Sequence, residues 1–220
     1  MPTEIATARD QILDAAEQLF SRQGFAGTTI KQIGAEAGLN PALLYYYFAD
    51  KQSLYRAMLE RMVGRFVVEA AALLKPGQDP EAAIRALVSL QVEYMGARPH
   101  IPRLIARELA DHGAAHAVAA VTQVSVGVFR RLVGIIQEGQ ANGRFRAELD
   151  PRFAAISTIA QVIYLLIARP IAGILLGHGP EGPPMEVLRA FGGHAADFAL
   201  AALRVPAVHS VPVSTIRSST

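Results

Sequence analysis

An all-helical fold is expected for this chain of 220 residues. Three features predict it. Apolar residues recur at the three-and-four spacing of a helix along most of the sequence. Alanine and leucine dominate, and no hairpin dipeptide separates alternating runs, so strand signals are almost absent. Glycine, proline, asparagine and aspartate fall where they would end one helix and start the next. The layout they mark out is a small three-helix N-terminal head and a larger C-terminal helical body.

Each element has its own justification. Ala8 to Gln23 carries Ile12, Ala15, Ala16, Leu19 and Phe20 on one face, with Gly24 as its stop. Thr28 or Thr29 supplies the next start, and a short helix bearing Ile30, Ile33 and Ala37 ends at Gly38. Asn40 caps a third helix with Pro41 at its first position, where the missing N–H costs nothing. Asp50 caps a long bridging helix that runs to about Leu74 and is stopped by Pro76-Gly77. Further helices are expected at 80–97, 102–111, 115–141, 151–168 with a kinked continuation past Pro170 to about 176, and 184–204. Their punctuation is Pro99, Gly113, Asn142-Gly143, Asp150-Pro151 and GHGPEGPP. The domains expected are 1–50, 51–204 and a loose tail over 205–220.

Composition removes several classes. With 51% hydrophobic and 18% charged residues the chain can build a core. It has no cysteine, hence no disulfide framework, thiolate nucleophile or cysteine zinc site. The N-terminal MPTEIATARDQ lacks a basic start and an apolar run, so a cytoplasmic protein is expected. Phe153 to Gly177 is the most membrane-like stretch, but Ser157, Thr158, Gln161 and the Arg169-Pro170 break favour a buried or interface helix pair, with no membrane partner. There is no GxSxG, Walker-type loop or GxGxxG after a strand, so no enzyme is expected and no cofactor. Glu108, His112 and His116 would share one helical face, but Gly113 interrupts it, and no metal site is assigned.

The run LLYYYF at 43–48 concentrates three of the six tyrosines. At about 100° per residue, consecutive aromatics point to several sides, so some must be exposed. Leu44 and Phe48, four apart, can share the inward face, which turns Tyr45 and Tyr46 outward. Gly34 and Ala37 allow a close helix crossing, and Gly38 suits a left-handed turn. That is the layout of a helix-turn-helix, whose second helix enters the DNA major groove. A tyrosine there offers a ring to thymine methyls and a hydroxyl to phosphates. Charge argues the other way. Residues 1–60 hold five basic side chains (Arg9, Arg22, Lys31, Lys51, Arg56) against seven acidic ones, although the whole chain is +2.

Ala15 to Leu59, AAEQLFSRQGFAGTTIKQIGAEAGLNPALLYYYFADKQSLYRAML, resembles the N-terminal domain of the tetracycline-repressor (TetR) family of bacterial transcriptional regulators. The resemblance covers the LF…GF…TT…I…AG frame and the closing LYYYF..K..L. It implies a double-stranded DNA operator as partner, and a DNA-binding surface made of Thr28, Thr29, Lys31, Asn40, Pro41, Ala42, Leu43, Tyr45, Tyr46, Tyr47 and Lys51. Thr29 would bind a phosphate and Lys31 a base edge or phosphate. Pro41, Ala42 and Leu43 would face bases, and Lys51 would clamp a phosphate. Leu43 stands where the family commonly has threonine and Tyr47 where it has histidine, so base reading at Leu43 should be more shape-based.

For the body, the resemblance implies dimerisation and the sensing of a small molecule. A homodimer would form through a four-helix bundle from the last two long helices, with Ile159, Ile163, Leu166, Ile167, Leu188, Phe191, Ala195, Phe198 and Ala202 at its interface. A largely apolar effector would meet Met62, Phe66, Tyr94, Met95, Leu104, Arg107, Phe129, Leu132, Val133 and Ile136, although the same spacing is what any core shows. The expected function is a ligand-responsive repressor on a palindromic operator. Two alternatives are an effector-independent DNA-organising protein and a helical small-molecule carrier without DNA affinity.

Overall fold

The computed structural model describes residues 8–112 and 115–206, with the backbone alone for 109, 111–112 and 115–125. Ten helices are present among them: α1 (Ala8–Gly27), α2 (Ile30–Ala37), α3 (Pro41–Tyr47), α4 (Lys51–Leu73), α5 (Pro80–Gly96), α6 (His100–His112), α7 (Ala115–Ala141), α8 (Pro151–Ile167), α9 (Arg169–Leu175) and α10 (Met185–Leu203). An isolated bridge between Phe145 and Arg204 is the one β-type contact among the described residues.

Local chemistry sets most boundaries. Asp50 caps α4 by accepting from the Ser53 N–H, while the Ser53 hydroxyl oxygen accepts from the Asp50 N–H. Asp79 and Asp150 cap α5 and α8 by accepting from the N–H two residues on, that of Glu81 and of Arg152, each ahead of a proline. Gly24 interrupts α1 where the sequence places its stop. It breaks the helical geometry with φ 77°, and a last turn then continues to Gly27. The expected kink at Arg169-Pro170 is a sharp corner: α8 and α9 bend by 84°. No single described helix is long and apolar enough to cross a membrane.

The core has two parts. One runs without interruption from α1, α2 and α3 through Leu54, Tyr55, Met58 and Met62 of α4 to Val92, Leu104, Val162 and Leu188 of the body. The other gathers Ala70 and Leu74 with Leu87, Leu132, Ile136, Phe145 and Leu200. In α4 the sequence therefore changes role along its length, closing the head at its start and packing on α7 towards its end.

Candidate nucleic-acid interface

The head displays α3 through a short chain of local bonds. Thr29 caps α2: its hydroxyl accepts from the Gln32 N–H, and Gln32 Oε1 accepts from the Thr29 N–H at 2.8 Å. Gly38, at φ 68°, takes the left-handed turn, and the Leu39 N–H returns to the Gly34 carbonyl at 2.9 Å. Gly34 lets α3 cross closely, since a Cβ there would lie 3.0 Å from the Leu39 carbonyl oxygen and 3.3 Å from Pro41 Cγ. Asn40 Oδ1 accepts from the Ala42 N–H, which starts α3.

On α3 the apolar anchors turn in and the tyrosines out. Leu44 is 1% exposed and Phe48 6%, whereas Tyr45 is 60%, Tyr46 81% and Tyr47 38% exposed. The Tyr46 and Tyr47 rings meet edge to face at 5.1 Å, so they stand as a pair. Ala42 is exposed beside them, Pro41 and Leu43 are half-buried, and Lys31 and Thr29 are exposed on α2 and at its cap. Together these residues form one outward surface whose polar groups are hydroxyls, one ammonium and the positive end of α2.

Two of the expected contact residues have different work in this structure. Thr28 is fully buried, and its hydroxyl donates to the Gly24 carbonyl at 2.8 Å, so its side chain is withdrawn from that surface. The turn following Gly24 folds it inward, a feature that spacing alone does not reveal. Lys51 is half-buried. Its ammonium donates to the carbonyls of Phe25 and Thr28 at 2.9 and 3.1 Å and lies 4.3 Å from the Phe25 ring centre. Two of its three N–H donors thus hold the α1–α2 connection, which leaves one directed elsewhere.

Below the head, polar side chains tie it to the body. Arg61 of α4 meets Asp14 at 2.6 Å and Glu17 at 3.4 Å on α1. Glu17 also bonds His100 of α6 at 2.7 Å. Burial works to raise the Glu17 pKa, but the His100 hydrogen bond and the charges of His100, Arg61 and Arg65 outweigh it and hold the carboxyl below its ordinary range. Tyr55 donates to buried Glu108 at 3.0 Å, joining α4 to α6. Sequence reading missed this network, although Asp10, Asp14 and Glu17 form an acidic stripe at helical spacing.

The expected ligand residues separate. Met62, Tyr94, Met95 and Leu104 are buried in the first core cluster, with Phe66 packed against them and the Tyr94 hydroxyl donating to the Met62 carbonyl at 2.9 Å. Leu132 and Ile136 are buried in the second cluster, with Phe129 and Val133 against it. Arg107 lies apart from both, in a groove between α1 and α6. One buried acceptor on α5, Gln91 Oε1, has no hydrogen-bond partner. His112 and His116 lie outside the residues whose side chains are described.

The expected dimer residues also divide. Leu188, Ala195 and Leu166 are buried within the chain, and Ile159, Ile163, Ile167 and Phe191 are partly buried. Phe198 and Ala202 face outward. The exposed apolar surface of this region includes Phe153, Ile156, Tyr164, Ile174, Leu175 and Phe198. Helices that are apolar nearly all round give no sequence signal for which side is turned in.

Comparison with known proteins gives two family-model matches. Residues 12–58 match the model described as bacterial regulatory proteins, tetR family, and residues 80–189 match that described as tetracyclin repressor-like, C-terminal domain. The chain is 37% identical over 146 residues to the HTH-type transcriptional repressor NicS of Pseudomonas putida, covering 64% of this chain and 67% of that protein. It is 27% identical over 147 residues to the repressor KstR2 of Rhodococcus jostii, covering 66% and 72%. Among solved structures, the fatty acid degradation regulator FadR from Bacillus halodurans aligns with a TM-score of 0.73 at 21% identity, covering 93% of this chain and all of that one. FadR from Bacillus subtilis, solved with stearoyl-CoA, aligns at 0.71 with 17% identity, covering 87% and 97%. Both structures share the fold.

Proposed function

The chain belongs to the tetR family of bacterial regulatory proteins, and from that premise we propose how this DNA-binding transcriptional regulator uses its surfaces. It acts as a homodimeric repressor. Two heads, each within residues 1–50, occupy neighbouring major grooves of a palindromic operator about 34–36 Å apart. Tyr45, Tyr46, Tyr47, Ala42 and Leu43 face the groove, while Thr29 and Lys31 meet the backbone. The body, residues 51–204, pairs with its mate and senses a small effector. The protein works in the cytoplasm and catalyses nothing.

The carrying observation is the orientation of α3. Tyr46 is 81% exposed on a helix whose Leu44 and Phe48 are anchored in the core. With Tyr45 and Tyr47 exposed on either side of it, Tyr46 belongs to a contiguous aromatic patch of the kind that marks an interaction surface. NicS and KstR2 are both named as transcriptional repressors, which supports repression here. Release follows from a population shift: the effector must favour a body conformation that misplaces the heads, with α4 carrying the displacement.

Fluorescence-anisotropy titration against duplexes from the DNA flanking the gene tests this. Saturable binding is expected, weakened roughly tenfold or more by Tyr46→Ala, as for loss of a contact worth about 1–3 kcal/mol. Binding no tighter than to scrambled DNA, both for flanking duplexes and for random genomic fragments, would overturn it.

A further inference from the structure

We propose that the groove between α1 and α6 is a binding site for a small amphiphilic anion, a carboxylate or phosphate ester with a short apolar tail. The groove measures about 1160 Å³ and runs along the C-terminal half of α1 and the first turns of α6. This deepens the reading of the body as an effector sensor and rests on it.

Residues 100, 103, 107 and 110 succeed one another at three, four and three residues, so they form one stripe along α6. Three of them are His100, Arg103 and Arg107, and all four line the groove. Arg22 lines it from α1. Arg22 is neutralised by Glu36 at 3.1 Å and His100 bonds Glu17 at 2.7 Å. Among the described residues, Arg103 and Arg107 have no such partner, and no acidic side chain lines the groove. Other arginines of the body are seated on carboxylates or on backbone carbonyls, as Arg189 is on Glu93, Arg204 on Glu81 and Arg169 on Pro183. Two guanidinium groups four residues apart repel each other on a helix. An anion between them removes that repulsion and matches the planar donor fork of arginine.

Shape supports the same reading. Gly24 leaves the space in which the Arg107 guanidinium rests, since a methyl group there would stand 2.7 Å from Arg107 Nη1. Beyond the arginines the lining turns apolar, with Phe25, Ala110 and Ile167. The charged end of the ligand sits at Arg103 and Arg107, and its tail lies towards Ile167. One wall belongs to the head and the other to the body, so an occupant sets their separation.

Isothermal titration calorimetry of the DNA-free protein with octanoate, octyl phosphate and uncharged octanol tests the proposal. Both anions should bind at least tenfold more tightly than octanol, and the stronger one identifies the headgroup. Arg103→Ala/Arg107→Ala should abolish that preference, with the melting profile checked for folding. Because Arg107 packs on Gly24, the exposed Arg103→Ala is made alone as well, and should weaken anion binding severalfold. Equal binding of octanol, unchanged anion binding in the variants, or no binding at millimolar concentration would each overturn the site. So would variants that lose operator affinity but keep the anion, since the arginines would then serve the DNA backbone. Operator anisotropy is read separately, so failure of the regulator and failure of this groove give different results.

Discussion

Leu44 and Phe48 decide where the tyrosines of α3 point, and Thr28 and Lys51 hold the connection between α1 and α2. The first pair was legible in the sequence, because four-residue spacing fixes a shared face whatever surrounds the helix. The second was not. Thr28 and Lys51 act through a backbone turn whose carbonyls no spacing pattern announces. Thr28→Val keeps the shape but leaves the Gly24 carbonyl without its donor. It should cost about 1 kcal/mol in urea unfolding, with operator affinity nearly unchanged once the protein is folded. Glu17 gives a pH-dependent test. Its folded pKa is lowered from 4.5, so its contribution is complete above that value and disappears as pH falls through the lower folded one. The difference in Tm between wild type and Glu17→Gln should shrink as pH falls below 4.5. A difference that grows as pH falls would show that the Glu17 charge is not stabilising.

Among the elements, helix number and order were readable because caps and breakers are local chemistry. Asn40-Pro41, Asp79-Pro80 and Asp150-Pro151 all start helices as their residue types require. Ends were less legible. Gly24 reads as a stop and does break the helix, but the further turn to Gly27, beside which Thr28 and Lys51 satisfy the Gly24, Phe25 and Thr28 carbonyls, was not announced. Two glycines allow opposite predictions. Gly38 sits at φ 68° with open space around it, so Gly38→Ala meets only backbone strain and should destabilise by about 1 kcal/mol. Gly127 lies in α7 with nothing near its Cβ position, so Gly127→Ala should stabilise by up to about 1 kcal/mol. Chemical denaturation of both variants measures the contrast, and equal signs would contradict it.

At the scale of the whole molecule, the two-part helical architecture was legible, while the partition of its apolar helices was not. α8 and α10 carry apolar residues on both sides, so periodicity marks them as buried somewhere without saying against what. The fold puts Leu188 and Ala195 inside and leaves Phe153, Tyr164, Ile174, Leu175 and Phe198 outside. The supposed ligand residues illustrate the same ambiguity, being divided between two core clusters. If the outer face forms the proposed dimer, Phe198→Glu should leave the folded protomer intact and weaken association by about 30-fold or more. Sedimentation velocity reads this directly, and operator binding should weaken with it. An unchanged dimer would move the interface away from α10.

The lysine latch and the Arg61 tether have a practical consequence for building chimeric regulators. The head's core continues through Leu54, Tyr55 and Met58, and its acidic helix is fastened by Arg61. A graft cut at Asp50 would discard all of these and leave the transplanted module with an open underside. The transferable unit reaches past Arg61, so a splice into another sensor belongs in the middle of a continuous helix, where register rather than loop length decides whether the hybrid works.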